Sequence, residues 1–262
     1  MLGIDYRNSH TAPDKGMTYD RTFQDYPYRR CVWSWEKSVL KDVIEHSFQP
    51  DQDIRYLDFA CGTGRIIGYV ESLVNASIGV DVSDSMLQVG QQNVKKSMLL
   101  KADLTQHNIL AGKTFDLITA FRFFLNAQPE LRQEVISILA NLLSDSGCLV
   151  FNIHMNEGSI AERLRRLSHR VKRLPKGKYH TLGRTGVLNM VQKAGLQVVG
   201  TYHFGLLPIL DEKSKIPVPL INFIEENSSK ISSLESASKY VIYVCRKDAT
   251  SRVERSPSSF TL

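Results

Sequence analysis

Between Arg55 and Arg246 short apolar runs alternate with segments of helical period, and the first run ends in a glycine turn, Asp58-Phe59-Ala60-Cys61-Gly62-Thr63-Gly64. That alternation restricts the fold more than any other feature, because consecutive parallel strands need a crossover, usually a helix. The pattern predicts strands at Arg55–Ala60, Ser77–Asp81, Ser97–Lys101, Phe115–Phe121, Cys148–His154, Leu196–His203 and Tyr240–Arg246. It predicts helices at Gly64–Leu73, at Asp84–Val94 with Ser83 as N-cap, and at Leu188–Ala194 closed by Gly195. Leu131, Val135, Ile138, Leu139 and Leu142 mark one apolar helix face with Pro129 in its first turn, and a turn at Ser144–Gly147 follows. Trp35, Val39, Leu40, Val43 and Ile44 mark a further helix before the first strand. A doubly wound α/β sheet with helices on both faces is expected, with ligands beyond the carboxyl ends of its strands.

The flanks are less regular. Residues 1–30 read as an irregular arm, 205–238 as a long insert containing three prolines, and 248–262 as a loose tail. The 262 residues suit one large domain at the usual ~150 residues per domain, and the 42% hydrophobic share argues against bulk disorder. No run approaches the ~20 apolar residues of a membrane span. Asp5 and the lack of an apolar region near the start argue against a secretory signal. Cys31, Cys61, Cys148 and Cys245 are widely spaced, which fits buried thiols in a reducing, cytoplasmic setting better than disulfides or a metal site. Eight basic residues between positions 161 and 180 face only Glu162, so this segment alone exceeds the chain's net charge of +6. Such a patch suits an anionic metabolite, a nucleic acid or a membrane surface, or is simply a solvated helix face.

Neither Gly62 nor Gly64 carries a β-carbon, so the backbone can turn tightly and approach a ligand. Asp81 ends the next strand, where a carboxylate can accept hydrogen bonds from both hydroxyls of a ribose. The plainer reading is an ordinary turn with Asp81 capping the next helix. A dinucleotide loop would place a third glycine where Ile67 stands, and Asp58 would repel a pyrophosphate while suiting a cationic amino acid end. A nicotinamide oxidoreductase is therefore disfavoured.

The run Asp58-Phe-Ala-Cys-Gly-Thr-Gly64 resembles the first motif of class I S-adenosylmethionine-dependent methyltransferases. Gly79–Leu87 is similar to their second motif, Lys101-Ala-Asp-Leu104 to their adenine segment and Phe115–Phe121 to their fourth strand. The resemblance extends over roughly residues 19–247. It implies a Rossmann-like seven-stranded sheet, mostly parallel with the last strand antiparallel, and S-adenosyl-L-methionine as cofactor. By position it implies that Asp58, Ala60, Gly62 and Gly64 line the methionine end, with Asp81 on the ribose. It puts Val82 and Met86 on the adenine face, Asp103 at the adenine amino group with Leu104 beside it, and Phe121 near the sulfonium. The implied domain runs from 31 to 247, with a basic insert at 155–181 and an acceptor-side insert at 205–238; together with arm 1–30 they form a lid.

For catalysis, His154 at the end of the fifth strand is the candidate general base if the acceptor is a hydroxyl. His180 and His203 are weaker candidates. Arg122 and Asn126 could meet the acceptor, although Asn126 equally suits a turn. Trp33, Trp35, Tyr19 and Phe123 would either enclose a cation or pack as core and lid. The expected acceptor is a small molecule, O- or N-methylated, anionic or sugar-containing. The alternatives are an RNA methyltransferase gripping phosphates with 161–180, and a non-catalytic cofactor-binding partner protein.

Overall fold

The structure is a computed structural model that describes residues 6–7, 15–171, 181–209 and 216–248. Helices α1 (Lys15–Asp25) and α2 (Pro27–Ser47) precede β1 (Arg55–Phe59), α3 (Arg65–Val70), β2 (Ala76–Asp81), α4 (Asp84–Asn93) and β3 (Met98–Lys101). The chain then returns to the sheet centre as β4 (Phe115–Ala120), α5 (Pro129–Leu142), β5 (Leu143–Ile153) and α6 (Ile160–Val171). It ends with α7 (Arg184–Lys193), β6 (Leu196–Phe204), α8 (Val218–Ser228), a 3₁₀ turn at Ser232–Ala237 and β7 (Tyr240–Lys247). The strands form one sheet in the order β3-β2-β1-β4-β5-β7-β6, with β7 antiparallel to both β5 and β6. The seven-stranded, mostly parallel α/β architecture is therefore as expected.

Both faces of the sheet are covered, and the central strands are largely apolar for that reason. Leu57, Ile118, Leu149, Phe151 and Tyr243 pack under α5 and α7. Their chain neighbours Tyr56, Leu117, Cys148, Val150 and Ile242 pack under α2 and α3. The alternation is the two-residue period of a pleated strand. All four cysteines are buried and unpaired. Among the described residues no helix is long and apolar enough to cross a membrane.

Two expectations need correction. The arm at 1–30 is largely helical where it is described: α1 occupies Lys15–Asp25 and α2 begins at Pro27. Gly16 approaches the Ser85 carbonyl so closely that a β-carbon would sit 2.2 Å from it, so α1 is docked on α4 through a contact that a local period does not reveal. The turn expected at Ser144–Gly147 is absorbed into β5, which follows α5 directly. Pairing shifts between Phe115↔Leu143 and Leu117↔Cys148, so the extra residues bulge out of an otherwise continuous strand.

The order of strands places a reversal between β1 and β4. From β1 the chain winds outward through β2 and β3, then crosses back to the other side of β1. Beyond the carboxyl ends of these two strands lies the crevice that a doubly wound sheet offers to ligands. Ala60 and Arg122 follow those ends, with φ of 55° and 61°, and they alone among the described non-glycine residues have positive φ.

Candidate active site

A cleft opens at this reversal. Asp58, Ala60, Gly62, Asp81, Val82, Met86, Asp103, Leu104 and Phe121 all line it, as do Tyr6, Arg7 and Tyr19 from the N-terminal segment. Gly64 and His154 are not on its wall. At φ 75° Gly64 starts α3 in the left-handed region, and a β-carbon there would press on the Gly90 backbone at 3.2 Å. Gly62, at φ 54°, has open space where its β-carbon would be. The first glycine leaves room in the cleft; the second lets α3 meet α4.

Asp81 organises the loop. Its Oδ2 accepts a hydrogen bond from Gly62 N at 2.9 Å and its Oδ1 one from Ser83 N at 2.9 Å. Ser83 caps α4, its hydroxyl accepting from Met86 N. Burial pushes the Asp81 carboxyl upward, against these backbone donors. Each carboxylate oxygen retains capacity for a further donor. Asp103 stands opposite: Oδ1 accepts from Thr105 N and Oγ1, while Oδ2 pairs with Arg7 at 3.3 Å.

Asp58 differs from both. It is buried beneath the cleft, and its Oδ1 accepts from Thr119 Oγ1 at 2.6 Å, itself 2.6 Å from Tyr56 Oη. Its Oδ2 is enclosed and has no hydrogen-bond partner. Desolvation pushes its pKa up to about 7 despite the Thr119 hydrogen bond, the approach of the Ile67 backbone N–H and the Arg65 charge. An unpaired buried acceptor is costly, and it identifies the kind of ligand that would relieve it, a cationic donor.

Residues 57–147 match the methyltransferase domain family. A Geobacillus sp. (strain WCH70) protein that carries a methyltransferase name is 30% identical over 142 residues, 52% of this chain and 54% of the relative. A demethylmenaquinone methyltransferase from Symbiobacterium thermophilum is 34% identical over 90 residues, 30% and 33% of the two chains. The chain thus spans about half and a third of the lengths of these curated relatives. The structure of magnesium protoporphyrin IX methyltransferase from Synechocystis PCC 6803, with bound SAH, superposes at TM-score 0.64, with 14% identity over 90% of this chain and 96% of that one. Over residues 57–147 the chain is thus similar to methyltransferase domains, and its fold is that of a solved methyltransferase.

Glu36, Asn152 and Arg132, which hold the cleft's second half, were not singled out in the sequence. Glu36 of α2 is fully buried. Its carboxylate accepts from Arg65 Nη1 at 2.6 Å and from Asn152 Nδ2 at 3.1 Å, with Arg122 Nη2 3.8 Å away. Asn152 in turn accepts from Arg122 N at 2.6 Å, and Asn126 donates to the Arg122 carbonyl at 2.6 Å. Those bonds hold Arg122 in its left-handed conformation, and Asn126 serves the turn. Buried Arg132 donates to the Leu125 and Ala127 carbonyls, closing the same loop from beneath. One signal was available for Glu36: at four and seven residues before Leu40 and Val43 it lies on the buried stripe of α2.

The four aromatic residues considered as a cage separate. Tyr19 and Phe123 line the cleft, whereas Trp33 stacks on the Arg65 guanidinium at 4.4 Å and Trp35 packs on Phe204. Phe23 instead lies under three guanidiniums, those of Arg65, Arg122 and Arg29, at 4.2, 4.9 and 5.0 Å. His154 follows β5 with its Nδ1 enclosed and without a partner. Burial and the charges of Arg122, Lys239 and Arg29 hold it well below the ordinary histidine range, so it is neutral at pH 7. Buried His203 meets Ser238 Oγ at 3.0 Å and serves structure. His180, with residues 172–180 of the basic segment, lies outside the described residues.

Proposed function

We propose that this chain methylates a small anionic acceptor, using S-adenosyl-L-methionine bound in the cleft at the reversal between β1 and β4. The observation that carries the reading is the orphaned Oδ2 of Asp58, a buried acid on a cleft already edged by Asp81 and Asp103. Asp58 pairs with the amino group of the cofactor, Asp81 receives the ribose hydroxyls, and Asp103 with Leu104 meets the adenine, whose faces rest on Val82 and Met86. Ala60 and Gly62 give the methionine end its room, and Phe121 borders the sulfonium. When bound, S-adenosylmethionine supplies an electrophilic methyl group for in-line displacement, so positioning does much of the catalysis.

The cationic side of the cleft supports an anionic acceptor. Arg122 lines the wall, and Arg29 and Arg65 share the Phe23 ring with it; Glu36 is the carboxylate to which Arg65 and Arg122 are tied. An acceptor carboxylate or phosphate beside Arg122 would be oriented there by charge-assisted hydrogen bonds. For a hydroxyl acceptor, His154 is the candidate base, but it stands behind the cleft wall, so the acceptor would have to reach past the lining residues to meet it. The N-terminal segment acts as a cover, since Tyr6 and Arg7 already border the cleft and Arg7 bonds Asp103 and Thr105. Arg7 must yield part of that contact when the adenine enters. In α6, Arg165 and Arg166 both pair with Glu162 at 2.7 Å, which offsets part of the positive charge that an RNA grip would use.

The test is a screen of carboxylate-, phosphate- and sugar-bearing metabolites with a methyl-labelled donor, run beside calorimetry of donor binding. Donor binding together with transfer to an anionic acceptor, weakened in Arg122→Gln through KM, supports the proposal. Binding without transfer to any acceptor supports the partner-protein alternative, and absence of binding overturns the cleft assignment.

A further inference from the structure

Away from the cleft, α6 divides its faces in an unusual way. At about 100° per residue, Ile160, Leu164, Leu167 and Val171 fall within an arc of about 60°. All four are exposed, from 37% at Ile160 to 76% at Val171. The two buried residues of the helix, Ala161 and Glu162, lie on another side. Glu162 receives Arg165 and Arg166, anchoring that side, so the apolar stripe is turned outward. Arg163 and Arg170 border the stripe along one edge; both are exposed, and neither has a carboxylate partner among the described residues. A lone exposed leucine needs no explanation, but a straight apolar stripe edged by cations does.

We propose that α6 docks on an anionic lipid surface, with the stripe entering the boundary of the acyl region and Arg163 and Arg170 meeting headgroup phosphates. The charge is what selects this occupant. An amphipathic helix with arginines beside its apolar face combines apolar burial with attraction to anionic lipid, and both contributions are needed for interfacial binding. The helix begins seven residues beyond Ile153, the end of β5, so docking would hold the second half of the cleft near the membrane plane. This surface is independent of the methyl-transfer reading, since no residue of the cleft takes part.

The experiment is flotation of the full chain with phosphatidylcholine vesicles and with vesicles containing phosphatidylglycerol, at low and high salt. Binding is expected on the anionic vesicles, weakened by salt. It should fall by at least about tenfold in Leu164→Ser/Leu167→Ser, where two apolar side chains are lost at positions whose exposure spares the fold. Arg163→Gln/Arg170→Gln should lose the preference for anionic lipid while remaining folded. The proposal is overturned if neither vesicle binds, or if the serine variant floats as well as the parent chain. It is equally overturned if the stripe proves to be a contact between copies, with light scattering showing a dimer that the serine pair dissociates, or if Arg163 and Arg170 retain RNA while vesicles are ignored.

Discussion

The two halves of the sheet's carboxyl edge are built on different principles. Around β1, β2 and β3 acidic side chains at the strand ends grip backbone amides: Asp81 holds Gly62 and Ser83, and Asp103 holds Thr105. Around β4 and β5 the side chains are held by groups distant in sequence, such as Glu36, 116 residues before Asn152. The first half is organised before any ligand arrives. In the second, a single carboxylate from α2 positions Arg65, Asn152 and, through it, the strained backbone of Arg122. A local motif therefore suffices for one substrate site, while the other depends on long-range packing.

The largest expected effect comes from removing that carboxylate. Glu36→Ala leaves Arg65 buried without its ion-pair partner and should destabilise the fold by about 3–5 kcal/mol. Denaturant unfolding checks this; a loss below about 1 kcal/mol would mean that the second half does not depend on α2. In the first half, Asp81→Ala should weaken S-adenosylmethionine binding by about 1–3 kcal/mol, because hydrogen bonds to a charged group are lost. Unchanged affinity in calorimetry would refute its role at the ribose.

Asp58 links the halves through pH. Its folded pKa is raised to about 7, so between the unfolded value and pH 7 the folded state binds more protons than the unfolded one. Its contribution to stability is accordingly lost as pH rises through that window. Cofactor affinity should move the opposite way, because the ammonium needs the ionised carboxylate. Affinity should rise up to about tenfold per pH unit below 7 and then level off. Asp58→Asn should abolish the slope; a slope that persists would assign the titration to another group.

His154→Ala, tested on the true acceptor, should slow turnover by about 10²-fold or more while sparing cofactor affinity, if the acceptor is a hydroxyl. A normal rate would leave His154 as a packing residue of the cationic half. The smallest effect is at the strained residue after β1. Ala60→Gly should raise stability by no more than about 1 kcal/mol, since φ 55° suits glycine and the gain is offset by unfolded-state entropy. A clear loss would mean that the methyl group packs usefully in the cleft wall.

The legibility of the chain follows the same division. Strand and helix positions could be read because both sheet faces are buried and the crossovers are short, so local period and tertiary role coincide. Ser83 as a cap and Gly195 at φ 71° are local devices of the same kind. The helical nature of α1 was hidden because its support comes from α4, through the close approach of Gly16. The continuous β5 was hidden because Gly147 resembles a turn residue, whereas it permits the Asp116 carbonyl to approach to 2.7 Å of where a β-carbon would be. In the site, nine expected cofactor residues reach one cleft because their spacing follows strand ends. Glu36, Arg132, Asn152 and Tyr6 arrive from elsewhere in the chain, and no local pattern announces the partners they meet.

The most direct measurement is a crystal of this chain grown or soaked with S-adenosylmethionine. The account predicts density in the cleft between β1 and β4, the amino group against Asp58 Oδ2 and the ribose against Asp81. Density at another location, or a chain that takes up none of the molecule at saturating concentration, would contradict it.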